Sequence, residues 1–142
     1  MATKKLKLIE QSFEFNFSAL AIASQSRDYH LCWQINRELS INLKREEDLQ
    51  VDDPKKRQIN YFSFYSFIDD NDMSRYYFLA NKSGNDLFLP EVKVADFLLV
   101  INEKPVEEIK KIISMLKKMP QILAVTELEI NKLKSKRNLI FE

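Results

Sequence analysis

Two carboxylates, Glu91 and Asp96, have the strongest claim to chemistry, because a pair of carboxylates can share general acid and base roles. Their spacing of five residues places the side chains about 140° apart on a helix and on opposite faces of a strand. Only a turn could bring them together. Beside a turn, Glu commonly accepts backbone N–H groups and Asp commonly hydrogen-bonds its own backbone. We therefore expect a structural pair rather than a catalytic dyad.

The sequence contains one histidine, His30, and one cysteine, Cys32. On a helix these side chains would point about 160° apart, so they could not hold one metal ion through that helix. No residue nearby in sequence completes a nucleophile-and-base site around His30. We expect His30 on a solvated face and Cys32 packed as a small core residue. A single cysteine also excludes a disulfide within the chain.

Two charged stretches are candidates for binding ions or phosphates. The acidic turn at 69–72 lacks the glycine and the distal glutamate of a calcium-binding loop, so a solvated hairpin tip is the better interpretation. The basic residues Lys132, Lys134, Lys136 and Arg137 could contact phosphates, with nearby aromatic rings stacking on bases. Phosphate-cradling loops need several clustered glycines, and the chain has one. No metal and no cofactor is expected.

The composition excludes several classes of protein. With 142 residues, 45% of them apolar and 30% charged, the chain is expected to form a single domain over residues 1–142. A net charge of +1 provides no overall attraction to nucleic acid or to an anionic membrane. No apolar run approaches the roughly 20 residues that span a bilayer, and the first residues do not lead into an apolar signal sequence. The expected location is the cytoplasm.

The elements that would position these residues follow from hydrophobic periodicity. Alternation predicts a strand at 13–17, and the apolar stretch 19–24 either continues it or forms a buried connection. A helix is expected at 27–39, with Ser26 as its N-cap. A second helix begins with Pro105 at its first position and stops at Pro120. Further strands are expected at 48–52, 59–68, 75–80, 97–101 and 122–128, followed by a short helix or coil at 130–137.

The first helix is expected to bury one broad side. That side holds Tyr29, Leu31, Cys32, Ile35 and Leu39, with Trp33 at its edge. Asn36 projects into the same side, where its amide needs hydrogen-bond partners. It is either a satisfied structural residue or one that orders a neighbouring loop or ligand.

The order of elements predicts an α+β fold. We expect a two-layer sandwich of one largely antiparallel, mixed sheet with two main helices packed on one face. Residues 59–68 and 75–80 should form a hairpin, and 97–128 a compact β-α-β unit around a central strand. The hairpin has aromatic residues on both sides, including Tyr61, Tyr65 and Tyr76. The sheet face away from the helices is therefore either covered by loops and termini or exposed as a binding patch.

The segment LPEVKVADF at 89–97 resembles the IPExxxVDY signature of a small family of Bacteroidota proteins. Pro90, Glu91 and Asp96 are identical to it. The replacements are Leu89 for Ile, Ala95 for Val and Phe97 for Tyr. Residues 28–33, 42–45 and 133–141 also look like that family. The resemblance implies no reaction, cofactor or partner, and Phe97 lacks the phenolic hydroxyl of the signature.

These observations predict a protein without catalytic activity, in which the 89–97 segment is a folding device. The leading function is a small cytoplasmic protein-binding or adaptor module. Its partner would be another protein or a second copy, held by an aromatic sheet face or an exposed edge strand. The alternative is a nucleic-acid-associated, RNA-binding protein that uses the basic C-terminal segment and the aromatic sheet face. The candidate surface residues are Tyr61, Tyr65, Tyr76, Lys134, Lys136 and Arg137.

Overall fold

The centre of the structure, a computed structural model that describes residues 17–141, is a six-stranded sheet in which every neighbouring pair is antiparallel. The strands of this sheet are β1 (Phe17–Ala23), β2 (Lys44–Arg45), β5 (Phe64–Ile68), β6 (Arg75–Ala80), β9 (Phe97–Asn102) and β10 (Ala124–Glu127). Their order across the sheet is β10-β1-β9-β6-β5-β2. With two helices beside it, the fold is α+β, as predicted. Residues 13–16 of the first predicted strand lie outside the described residues.

Four shorter strands form two separate antiparallel pairs. They are β3 (Leu49–Asp53) with β4 (Gln58–Phe62), and β7 (Lys82–Ser83) with β8 (Asp86–Leu87). The helices are α1 (Asp28–Leu39) and α2 (Val106–Lys117), and two 3₁₀ helices follow at Ile130–Lys132 and Lys136–Leu139. None of the helices within residues 17–141 has the length and apolar character needed to cross a membrane.

Strand β9 is central, as its apolar sequence predicts. It pairs with β1 on one side and β6 on the other, and all five residues from Phe97 to Ile101 are buried. A strand covered on both faces needs no polar alternation. The predicted β-α-β unit is less compact than expected, because β1 lies between β9 and β10 and pairs with both.

One face of the sheet packs against both helices. Their contact residues recur at helical spacing and bury a single stripe on each helix. The main contributors to this core are Leu20, Ile22, Phe78, Phe97, Leu99 and Ile101 from the sheet, with Leu31, Ile35, Ile109, Ile112 and Leu116 from the helices.

The starts of both helices differ from the prediction by one residue. Arg27, not Ser26, is the N-cap of α1, because its carbonyl accepts the first helical hydrogen bond from Leu31 N–H. Pro105 is the N-cap of α2 rather than its first residue, since its carbonyl accepts from the N–H groups of Glu108 and Ile109. Neither cap uses a side chain.

The opposite face of the sheet is covered, which decides between the two alternatives that the sequence leaves open. The β3–β4 hairpin, the 81–96 segment and the C-terminal segment 128–141 supply the cover. The residues that meet here include Ala19, Phe62, Tyr77, Leu79, Phe88, Leu89, Leu98, Val100, Ile130, Leu133 and Leu139.

The strand predicted at 59–68 is two strands that separate at Ser63. β5 stays in the main sheet beside β6, while β4 leaves it and pairs with β3. The departure places Phe62 in the second core, 5.4 Å from the ring of Phe88. Periodicity did not indicate the break, because the aromatic residues continue through both halves, with two in β4 and three in β5.

Candidate functional site

The turn before β9 is built around Asn81, a side chain with no exposed surface. Its Nδ2 donates hydrogen bonds to the carbonyls of Val92 (2.9 Å) and Ala95 (3.0 Å). Its Oδ1 accepts one from the N–H of Leu89 at 2.8 Å. The amide thus bonds three backbone groups of the 89–97 segment, and two of them, the Leu89 N–H and the Ala95 carbonyl, would otherwise be buried without partners.

The backbone of Asn81 adds two further bonds to the same turn. Its N–H donates to the Asp96 carbonyl at 2.9 Å, and its carbonyl accepts from the Phe88 N–H at 2.8 Å. Pro90 lies inside the tight turn that Val92 N–H closes onto the Leu89 carbonyl at 3.0 Å. The predicted turn at Pro90 is present, but its main organiser is a residue that the sequence interpretation did not single out.

Glu91 holds the C-terminal segment against this turn. Its two carboxylate oxygens accept hydrogen bonds from the Ser135 backbone N–H (2.9 Å) and hydroxyl (2.6 Å). Desolvation opposes ionisation of Glu91, but the hydrogen bonds from Ser135, together with those from the Glu91 and Lys134 backbone, outweigh it and lower the pKa of the carboxyl. The side chain does accept backbone N–H groups, as expected, and one of the donors, Ser135, lies 44 residues away.

Asp96 also bonds to distant groups, which corrects the expectation that it would satisfy its own backbone. One carboxylate oxygen accepts from the Ser24 N–H at 2.9 Å, and the other pairs with the Lys82 ammonium at 2.8 Å. Ser24, at the end of β1, is itself buried. Since all four oxygens of Glu91 and Asp96 accept hydrogen bonds, each carboxylate clamps a different segment, and the arrangement is not that of a dyad.

Phe97, the last residue of the motif, lies in the helix-side core. Its ring stacks on Phe78 at 5.3 Å with an interplanar angle of 17°. Ala95 and Leu89 are also buried, at 1% and 0% exposure. The motif therefore contributes packed side chains at its apolar positions and clamps at its polar positions.

The three tyrosines proposed as a binding surface have different environments. Tyr65 and Tyr76 are 6% and 4% exposed, so they cannot line an open surface. They face the helix-side core, and the Tyr65 hydroxyl donates to Asp28 at 3.1 Å. Tyr61 is half-exposed, on β4. The three tyrosines therefore do not form one aromatic surface, because Tyr65 and Tyr76 are buried and β4, which carries Tyr61, belongs to a different sheet from β5.

The basic residues near the C-terminus belong to the segment that covers the second sheet face. Lys134 and Arg137 are exposed and Lys136 is half-buried. At the end of this segment, the Phe141 ring lies 5.2 Å from Phe64 and 4.9 Å from Tyr77. The segment thus packs on the rings of Phe64 and Tyr77, whereas Tyr61 stays exposed.

The outer face of α1 carries exposed aromatic side chains that the sequence interpretation missed. Tyr29 is 63% exposed and Trp33 is 53% exposed. The Arg37 guanidinium lies 4.9 Å from the centre of the Trp33 ring. Tyr29 was expected on the buried side, but the buried stripe is confined to Leu31, Cys32 and Ile35. A helical wheel centred on that narrower stripe would have placed Trp33 opposite it.

Asn36 is a satisfied residue that also orders a neighbouring loop. Its Nδ2 donates to the Leu43 carbonyl at 3.2 Å, and its Oδ1 accepts from the Leu43 N–H at 2.8 Å. This pairing imitates a strand ladder and fixes the chain between α1 and β2. The two interpretations of Asn36 left open by the sequence therefore describe one structural role.

The remaining candidates do not assemble into a reactive centre. Burial, with a smaller effect from the Asp28 charge, raises the pKa of the Cys32 thiol to about 12, so the thiol is protonated at neutral pH. His30 is exposed on α1. Within residues 17–141, no three His, Cys, Asp or Glu side chains lie close enough together to hold a metal ion.

No protein-family model matches the chain, and a search of curated proteins gives no match either. The resemblance of 89–97 to the IPExxxVDY signature therefore stays a prediction.

Proposed function

We propose that this protein is a small cytoplasmic protein-binding module without catalytic activity, and that it contacts its partner through the outer face of α1. The observation that carries the proposal is the pair of exposed aromatic side chains, Tyr29 and Trp33, one helical turn apart. Arg37 extends the row by one more turn. We call these three residues the α1 row.

The chemistry of the α1 row supports protein binding. Trp, Tyr and Arg are the residues that most often dominate the energy of protein interfaces. Large rings gain more from leaving water than other side chains, and they lose little conformational entropy when they are held. The core does not require Tyr29 or Trp33, because Leu31 and Ile35 already anchor α1 to the sheet.

The hydrogen bonds of the two carboxylates and the burial of the thiol support the proposal that the protein is not a catalyst. Glu91 and Asp96 are bonded to Ser135, Ser24 and Lys82. A protonated, buried Cys32 is a poor nucleophile. The 89–97 segment is better explained as a clamp between distant parts of the chain than as a site where a substrate is bound.

Affinity purification of the tagged protein from its native cells, with and without nuclease, tests this proposal. We expect the tagged wild type to recover a protein partner. That partner is either another protein or an untagged copy of this chain. Recovery should fall at least about tenfold for the double variant Tyr29→Ser, Trp33→Ser, in keeping with the loss of two interface anchors. Nuclease should have no effect.

Leu123→Ser and Val94→Ser provide matched controls, because both residues are apolar and exposed but do not belong to α1. These variants should recover the partner as the wild type does. Equal recovery by the α1 double variant would contradict the proposal. Loss of recovery after nuclease would favour the nucleic-acid alternative instead.

A further inference from the structure

The two ends of the α1 row differ in chemical kind. Tyr29 presents an aromatic ring at the N-terminal end, Arg37 presents a guanidinium at the C-terminal end, and Trp33 lies midway. The spacing of four residues keeps all three on one side of the helix, over a length of about 12 Å. The row therefore has a direction, with a ring at one end and a cation at the other.

Two copies of the α1 row complement each other when they run in opposite directions. If two α1 helices meet antiparallel about Trp33, each Tyr29 ring faces the Arg37 guanidinium of the other copy. A guanidinium is attracted to the face of an aromatic ring, and the two Trp33 rings meet at the centre. A two-fold interface requires a patch that complements itself in this way.

The charges around the row favour the same arrangement. Within residues 17–141, Arg37 forms no ion pair with a carboxylate, and its guanidinium lies over the Trp33 ring. Asp28 and Glu38 lie about 140° around the helix from Trp33, so they do not line the row. In the antiparallel pair the two guanidinium groups are separated by about 12 Å, beyond the screening length of about 8 Å at physiological salt.

We propose that the partner of the α1 row is a second copy of this chain, docked antiparallel to form a symmetric dimer through Tyr29, Trp33 and Arg37. This inference rests on the proposed function, since it identifies the partner for the same surface. One helix face buries less than the roughly 1,200 Å² of stable complexes, so the dimer is weak and its population depends on concentration.

Sedimentation equilibrium of the full chain between about 10 μM and about 1 mM tests the dimer, a range suited to a weak interface. The apparent mass should rise from 16.8 kDa towards twice that value. Tyr29→Arg places two guanidinium groups opposite each other at both ends of the row, and it should weaken the dimer about tenfold. Adding Arg37→Tyr to it reverses the row, and this double variant should restore the wild-type dimer.

The double variant is the sharpest part of the test, because only an antiparallel self-pairing is restored by exchanging the two ends. Leu123→Arg is the control for added charge at an exposed apolar site, and it should leave the dimer unchanged. A constant monomer mass up to about 1 mM would overturn the inference, as would a double variant no better than Tyr29→Arg alone.

The two proposals fail separately. If the chain stays monomeric while another protein is still recovered in a Trp33-dependent, nuclease-resistant manner, self-association is wrong and the protein-binding proposal stands. If neither the dimer nor a Trp33-dependent partner is found, both are wrong.

Discussion

At the scale of single residues, Asn81 contributes more to the 89–97 turn than any residue of the motif itself. Asn is the side chain suited to this task because it offers both donors and an acceptor without a charge. A buried amide that is fully hydrogen-bonded costs the fold little. Its removal leaves backbone groups buried without hydrogen-bond partners, which destabilises the fold. The stability of the turn should therefore depend strongly on this one side chain.

Asn81→Ala should lower the free energy of unfolding by about 2 to 4 kcal/mol, since it removes three hydrogen bonds and leaves the Leu89 N–H and the Ala95 carbonyl buried without partners. Urea unfolding followed by circular dichroism measures this change. Asn42→Ala, at an exposed asparagine, is the control and should cost less than about 0.5 kcal/mol. A similar cost for the two variants would show that the turn does not depend on Asn81.

Glu91 gives the protein a predictable response to acid. Its pKa is lower in the folded protein, so its hydrogen bonds to Ser135 stabilise the fold at neutral pH. That contribution should be lost as pH falls through the folded-state pKa. Glu91→Gln should thus be less stable than the wild type at pH 7, and the difference should shrink between roughly pH 5 and pH 3.

Urea midpoints of both proteins across that range provide the measurement. Glu47→Gln, at an exposed position, should show no comparable change with pH. A stability difference between Glu91→Gln and the wild type that stays constant from pH 7 to pH 3 would mean that the Glu91 charge does not hold the C-terminal segment.

At the scale of elements, β9 and its leading turn are joined to the rest of the fold by packing and by clamps. Phe97 packs on Phe78, while Asp96 bonds to Ser24 and Lys82. Truncation of a buried Phe typically costs about 3 to 5 kcal/mol, and loss of a hydrogen-bonded carboxylate about 1 to 3 kcal/mol. Packing should therefore be the larger of the two contributions.

Phe97→Ala should destabilise the protein more than Asp96→Ala, and both should lower the urea midpoint. Equilibrium unfolding of the two variants beside the wild type tests the order. If Asp96→Ala or Glu91→Ala raised the midpoint instead, these carboxylates would be retained at the expense of stability. A functional site at the turn would then be the better explanation.

In the whole molecule, local sequence patterns predicted the helices and strands. The candidate site instead depends on hydrogen bonds between residues far apart in the sequence. The apolar run 97–101 and the stripe of Ile109, Ile112 and Leu116 are readable from sequence, because burial fixes their periodicity. The clamp from Glu91 to Ser135 spans 44 residues, and the one from Asp96 to Ser24 spans 72. No local pattern encodes such contacts.

The separation of β4 from β5 and the cover over the second sheet face were unpredictable for the same reason. Both depend on which residues meet across the fold, as Phe62 meets Phe88 and Phe64 meets Phe141. The exposed α1 row could have been predicted from the sequence with a helical wheel. It was missed because aromatic residues on a helix are usually assigned to the core, and Tyr29 was grouped with Leu31.

The solvent exposure of Trp33 at low protein concentration shows whether α1 presents an open aromatic surface. Trp33 is the single tryptophan of the chain, so intrinsic fluorescence reports on this residue alone. In a dilute sample we expect emission close to that of tryptophan in water and efficient quenching by acrylamide. Blue-shifted emission that acrylamide quenches poorly, in the folded monomer, would mean that the α1 row is already covered and is not a binding surface.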